Sequence, residues 1–452
     1  MSDRAPPKRP EELQTAASPA TGGIRLRVLS ALSAIPAAAW DACANPASAP
    51  VTSALHLKTD YADPSAIKNA ISSVKYNHTY KIHEDNLELR GYPFNPFITH
   101  DFLSALEVSR SVGPRTGWLP QHLVAEDAGG QLVGVVPCYL KSDSRGEYVF
   151  DQGWAEAYMR AGGAYYPKLQ VSVPFTPATG PRLLARPGKD AAAILHTLAD
   201  GLIALCRQRE ASSVHATFLP KGQWDLLAAH GFMRRTDQQF HWINEGYSSF
   251  DNFTAALASR KRKTLKRERR DALAGGITVH WLTGSDLTED VWDAFFAFYM
   301  ETGSRKWGNP YLTRSFFSLI GQSMAERILL VMAKRNGRWI AGAINFIGGD
   351  TLFGRNWGAL EHHPFLHFEL CYYQAIDYAI AHGLARVEAG AQGEHKIARG
   401  YRPTMTYSAH YIADPGLRRA VADYLTRERD YIAAVTEELA AAAPFRKYDT
   451  EE

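Results

Sequence analysis

Residues 387–403 read V-E-A-G-A-Q-G-E-H-K-I-A-R-G-Y-R-P, and the fold of the chain turns on how this stretch is read. Val387 follows a helical run and opens a short strand, which Gly390 and Gly393 then break. Glu388, Gln392, Glu394, His395, Lys396 and Arg399 crowd into the same segment, ahead of an aromatic Tyr401. Glycine permits positive φ and lets a ligand approach the backbone closely. Glutamate, imidazole and amine groups titrate near neutrality once burial or a neighbour perturbs them. Two readings stand side by side. Either the strand end carries a site, or the glycines only cap the strand and the polar groups face water.

An internal echo supports the first. Gly400-Tyr401 leads to His410-Tyr411-Ile412, and Gly231-Phe232 leads to His241-Trp242-Ile243 at the same spacing. Val387-Glu388-Ala389 repeats Val214-His215-Ala216, each after a helical run, Phe368 to His382 and Ala191 to Arg207. Upstream, Q-L-V-G-V-V-P-C at 131–138 parallels R-W-I-A-G-A-I-N at 338–345. A repeat of such long period means duplicated domains, because each copy is large enough to bury its own core. The 452 residues suit two such domains, of roughly 200 residues each. We expect a disordered leader at 1–23, a first unit at 24–245 and a second at 246–452. Residues 46–93, polar and weakly periodic, read as an insertion in the first unit.

Composition narrows the class. Apolar residues make up 46 %, enough to pack both units, and no apolar run reaches the ~18 residues that span a bilayer. The N-terminus lacks the apolar core of a secretory signal. Cys43, Cys138, Cys206 and Cys371 lie far apart without metal spacing, as in cytoplasmic proteins. His362, His363 and His367 match no zinc pattern, and no metal is expected.

Element signals point to a mixed sheet. Ile24 to Leu29, Leu123 to Glu126, Leu132 to Tyr139, Glu147 to Phe150, Ile328 to Arg335, Trp339 to Ile347 and Thr351 to Trp357 read as strands. Helices are expected at Pro36 to Ala44, after a Thr99 N-cap, near Val291 to Thr302 and at Thr313 to Ala325. Tyr165 to Arg182 holds four prolines and reads as a rigid extended loop or an edge strand. Arg260 to Arg270 carries eight basic residues and one acid on a helix expected over 251–274, with cations on every side. Such a helix suits an anionic partner, and Arg260, Arg262, Lys263, Lys266 and Arg267 are its candidate contacts.

The segments Y-Y-P-K-L-Q…P-F-T-P-A-T-G-P-R, H-F-E-L-C-Y-Y-Q-A-I and E-A-G-A-Q-G-E-H-K-I-A-R-G-Y-R-P resemble a Fem-like family described as "peptidoglycan biosynthesis/recognition". That family is grouped with the GCN5-related N-acetyltransferase (GNAT) superfamily. The resemblance runs over nearly the whole chain after residue 24 and implies tandem GNAT-like acyltransferase domains in an α/β, mixed-sheet fold, as in the Fem-type aminoacyl transferases. It departs between Ala44 and Asn95, where the family connects briefly.

The implied chemistry is acyl or aminoacyl transfer to an amine, such as that of a cell-wall precursor. Glu388, Glu394 and His395 are candidates for the base. Gln392, Lys396, Arg399, Tyr401, Trp357, Tyr372 and Gln374 are candidates to line the cleft of the second unit. Tyr166, Lys168 and Arg182 belong to a loop expected to rim the cleft of the first. Acyl-CoA or aminoacyl-tRNA is the implied donor, and E-H-H-P-F-L-H-F-E lacks the glycine-rich turn that holds CoA. Partners would be tRNA or a nucleotide-linked sugar precursor, in the cytoplasm, with peripheral membrane contact left open. Two alternatives remain: CoA-dependent N-acetylation of a small molecule, and a GNAT-fold protein that binds an anionic glycan precursor or nucleic acid without chemistry.

Overall fold

The structure, a computed structural model, describes residues 11–12, 23–46, 92–307, 310–390 and 393–446, apart from the side chains of 11–12, 304–307 and 394. The expected leader and the insertion at 46–93 therefore lie almost wholly outside the described residues.

In chain order the first half contributes β1 (Glu11–Glu12), β2 (Arg25–Leu29), β3 (Trp118–Pro120), β4 (His122–Glu126), β5 (Leu132–Val136), β6 (Cys138–Lys141), β7 (Lys168–Val171), β8 (Leu184–Ala185), β9 (Ser213–Leu219) and β10 (Met233–Ile243). The second contributes β11 (Thr278–Leu282), β12 (Ile328–Arg335), β13 (Arg338–Ile347), β14 (Thr351–Ala359), β15 (Arg386–Glu388) and β16 (Arg402–Ile412). One sheet runs β11-β12-β13-β14-β15-β10-β16-β9-β7-β6-β3, and a smaller one runs β1-β2-β4-β5-β8. Pro137, which cannot donate to a ladder, separates β5 from β6 where one strand was expected. The chain there leaves β4 and joins β7.

The echo in the sequence is an echo in topology. β10 and β16 have eleven residues each and pair antiparallel. Gly231 and Gly400 precede them with φ of 85° and 87°, a left-handed turn that glycine makes without strain. Each half holds a parallel pair, β7 with β9 and β14 with β15. The closing strand of each half is exchanged: β10 lies against β15 of the second half, and β16 against β9 of the first. The molecule is a pair of similar mixed α/β halves joined by that exchange.

The three larger of four cores among the described residues hold these layers. Ile194, Leu198, Leu202 and Leu205 of the helix Ala191–Gln208 bury against Leu123, Leu169 and Val214 of the first half. Trp242, Phe253, Leu265, Ile376 and Tyr401 fill one face of the second. The third core is aromatic and spans both halves, with Phe97 tilted against Phe346 at 5.0 Å and edge-on to Phe353 at 5.2 Å, and Phe102 edge-on to Phe346 at 5.5 Å. Such ring pairs add about 1 kcal/mol each beyond the area they bury.

Several expectations need correction. Glu147–Phe150 is not a strand; Glu147 turns inward to Lys168 at 2.7 Å instead. Tyr165–Arg182 is neither all loop nor an edge, since Lys168–Val171 is an interior strand with prolines only at its flanks. The basic region is two helices, Phe250–Ala255 and Ser259–Ala272, broken where Leu257 bridges to Phe445. The second does not show cations on all sides. Leu265, Glu268 and Ala272 are buried, and Arg269 is drawn onto Glu369 and Asp377 at 2.8 and 2.7 Å.

Candidate active site at the parting of two parallel strands

β14 and β15 pair in register only from Thr351–Arg386 to Phe353–Glu388. Beyond that rung no backbone pairing joins them among the described residues. β14 continues along β13 to Ala359, while the other chain leaves at Ala389 and Gly390, where φ is 79°. The result is a wedge with Glu388 at its apex. The 6 % exposed carboxyl of Glu388 is pushed up to about 7 by burial, against the pull of Arg386 and the Thr179 N–H. His241 stands on the same rung of β10, its Nε2 3.9 Å from the carboxylate. Burial holds His241 down to about 3, so its ring is neutral and donates Nε2–H to Gln239 Oε1 at 3.2 Å.

Lys396 closes the turn below. Its ammonium is buried, donates to Gly390 O at 2.9 Å, and is pulled down to about 8 by burial. Burial thus raises a carboxyl at the strand end and lowers the amine that bonds Gly390 O, bringing both toward neutral pH.

One wall of the wedge comes from the other half of the chain. Residues 172–182 leave β7 and cross toward β15. Thr179 N–H points to Glu388 Oε2 at 3.4 Å, Pro177 O accepts from Gln239 Nε2 at 2.9 Å, and Phe175 O accepts from Arg355 of β14. Phe175 stacks on Tyr311 at 4.6 Å. The loop was expected to rim the first cleft; it fills it. Beyond Ala216 the first pair of parallel strands would part in the same way, but Gly180 N–H bonds Phe218 O and Arg182 Nε bonds Thr217 O, at 3.0 and 3.1 Å.

The remaining candidates divide. His395, Tyr372 and Tyr401 come together: Tyr372 OH meets His395 Nε2 at 2.9 Å, and Tyr401 lies edge-on to Tyr372 at 5.6 Å. Trp357 faces His367 at 5.1 Å, and both border a cavity of about 360 Å³ that Phe368 also lines. Arg399 lies over the Phe368 ring, 3.4 Å from its centroid, and bonds Glu268 at 3.0 Å. Gln374 is not in this group, because it is bonded to Trp281 and Glu369 at 2.8 and 2.7 Å. Gln392 and the Glu394 side chain lie outside the described residues.

In the first half, Arg182 and Lys168 are fully buried and turned to structure. Arg182 donates to the carbonyls of Ala178, Gly180, Pro181 and Thr217. Lys168 bonds Ser144 and Glu147, at 2.8 and 2.7 Å, and Asp151. Tyr166 joins them through Ser144 at 2.8 Å. Burial works against the Lys168 charge, and the two carboxylates restore it, holding the ammonium above its usual range. The histidines of this half, His215 and His410, share one hydrogen bond at 2.7 Å.

His241, Arg355 and Thr179 were missed from sequence. The echo had marked His241, but only as a repeat.

The chain matches the FemAB-like family, described as peptidoglycan biosynthesis/recognition, over residues 70–447. The protein belongs to this family. The FemAB-like match begins within the 46–93 stretch and takes in both parallel strand pairs. Solved structures similar to this FemAB-like chain include FemX, at 12 % identity and TM-score 0.47, covering 77 % of this chain and 99 % of that one. A tandem GNAT protein from the clavulanic acid biosynthesis pathway is 16 % identical at TM-score 0.39, covering 74 % and 93 %. L-PGS from Bacillus licheniformis is 10 % identical at TM-score 0.44, covering 79 % and 99 %. No curated protein sequence matches the chain. Among the described residues of this FemAB-like protein, no helix is long and apolar enough to cross a membrane.

Proposed function

We propose that the protein transfers an acyl or aminoacyl group to an amine, and that the amine belongs to a cell-wall precursor. The observation that carries this reading is the open wedge, with a buried carboxyl raised to about 7 at its apex. An ammonium acceptor must lose a proton before its nitrogen attacks an ester or thioester carbonyl. Glu388, ionised above about pH 7, takes that proton directly or through a water. As the C–N bond forms, negative charge gathers on the carbonyl oxygen, and backbone N–H groups freed where the strands part suit it. Collapse breaks the C–O or C–S bond; the Lys396 ammonium protonates the leaving group, and its amine takes the second proton of the attacking nitrogen.

The family description supports a cell-wall acceptor. The turn before the helix at Leu366 has no glycine-rich loop, and Phe365 itself takes φ 63° there, which favours aminoacyl-tRNA over acyl-CoA as donor. A cytoplasmic, nucleotide-linked precursor suits such a donor.

The test is transfer of label from aminoacyl-tRNA, or from acetyl-CoA, to an amine-bearing peptidoglycan precursor. Glu388→Gln should lower the rate roughly 100-fold or more. Wild-type activity should rise as pH passes about 7, as Glu388 ionises. Full activity in the variant with either donor would end this reading.

A further inference from the structure

The helix Ser259–Ala272 starts without a side-chain cap, since Ala258 holds its N-cap position. Its ladder begins with Arg262 N–H bonded to Ala258 O at 3.0 Å, so the N–H groups of Ser259, Arg260 and Lys261 have no intrahelical acceptor. This helix start borders a cavity of about 350 Å³, within the size range of small-molecule sites. Arg260, Lys261, Thr264 and Glu268 line it from the helix, and Ala398 and Arg399 from the facing segment.

The charges there are unbalanced. No carboxylate among the described residues pairs with Arg260 or Lys261. Glu268 is the one acid lining the cavity, and its oxygens are already bonded by Arg399 Nη2 and Tyr373 OH. Arg399 is only 6 % exposed, bonds His395 O through Nη1 at 2.7 Å, and leaves its buried Nε without any partner. Two exposed cations without a carboxylate partner, with the Arg399 guanidinium beside them on the same concavity, match a group with several anionic oxygens.

We propose that this cavity is a phosphate subsite, which takes a phosphate group of a nucleotide-bearing substrate. The inference deepens the transferase reading and rests on it for the role of that substrate. The path between the two is short. The Arg399 guanidinium lies over Phe368, and Phe368 lines the second cavity with Trp357 and His367. A phosphate at the helix start is thus one cation and one aromatic ring away from the cavity that Trp357 of β14 lines. Basic groups leading to aromatic faces are how proteins hold nucleotides whose bases are unpaired.

The test is calorimetric binding of inorganic pyrophosphate, a nucleoside diphosphate and a short single-stranded RNA to the full chain. Arg260 and Lys261 are exposed, so the double variant R260Q/K261Q should fold as the wild type does. It should weaken all three ligands by roughly tenfold or more. The pair K263Q/R267Q, further along the same helix, should weaken pyrophosphate less than about twofold if the cavity, not the helix charge, does the binding. A nucleoside diphosphate that binds more tightly than pyrophosphate, with the same dependence on Arg260 and Lys261, supports a nucleotide-linked precursor in the cavity. RNA binding tightest, with a salt slope of about 0.7 per phosphate, supports a polynucleotide there. Failure of all three to bind, or equal losses from the two double variants, overturns the proposal. Binding is read without turnover, so an inactive protein leaves this result standing, and a failure here leaves the Glu388→Gln test intact.

Discussion

Glu388 and His215 hold the same place in the two copies, each opposite a histidine of an exchanged strand, His241 and His410. In the first copy burial keeps both imidazoles neutral, and they satisfy each other. In the second the carboxyl is 3.9 Å from its histidine and keeps its proton until about pH 7. The folded protein therefore holds a proton where the unfolded chain, with the ordinary value of 4.5, has lost it. Stability falls from this source as pH climbs from about 4.5 to about 7, and the loss is complete above that window. Glu388→Gln removes the slope, so the variant should gain on the wild type by up to roughly 3 kcal/mol between pH 5 and pH 8. Urea unfolding at those two pH values measures it. Parallel profiles would mean that the carboxyl is not buried as described.

At the scale of elements, the segment 172–182 separates a closed copy from an open one. Arg182 is its anchor, fixing four carbonyls with one guanidinium. Arg182→Met would leave those buried carbonyls without donors and should cost roughly 3 kcal/mol or more in chemical denaturation. A loss under about 1 kcal/mol would show that the anchor is dispensable. Much of this level was legible in the residues. Thr99 caps its helix by accepting from Phe102 N–H, and Ile328–Arg335 is bounded as read. The equal spacing of Gly231 to His241 and Gly400 to His410 located two central strands and the end of a third. The course of 172–182 was not legible, because proline tells that a chain is extended but not which neighbour it meets. Gln374 was misplaced for a related reason. Helical periodicity marks a polar position without saying whether its partner is substrate or, as here, Trp281 and Glu369.

For the whole molecule, the exchange of β10 and β16 makes each half depend on the other. Residues 24–245 alone would leave β9 without β16, and 246–452 alone would leave β15 without β10. Open strand edges of this kind aggregate. Expressed apart, the two fragments should be insoluble or unfolded by circular dichroism; expressed together, they should copurify as a one-to-one complex. A fragment that folds alone would show that the exchange is not needed. The same exchange aims the two parallel pairs toward each other: β9 ends opposite Tyr407, in mid-strand, and β15 ends opposite His241. Two identical chains in this arrangement would be bound by their dyad to carry the same loop and the same residue on both sides. Each change that tightened one site would appear in its twin. Joined in a single chain, the copies are released from that obligation, and one can give up its opening to furnish a wall for the other.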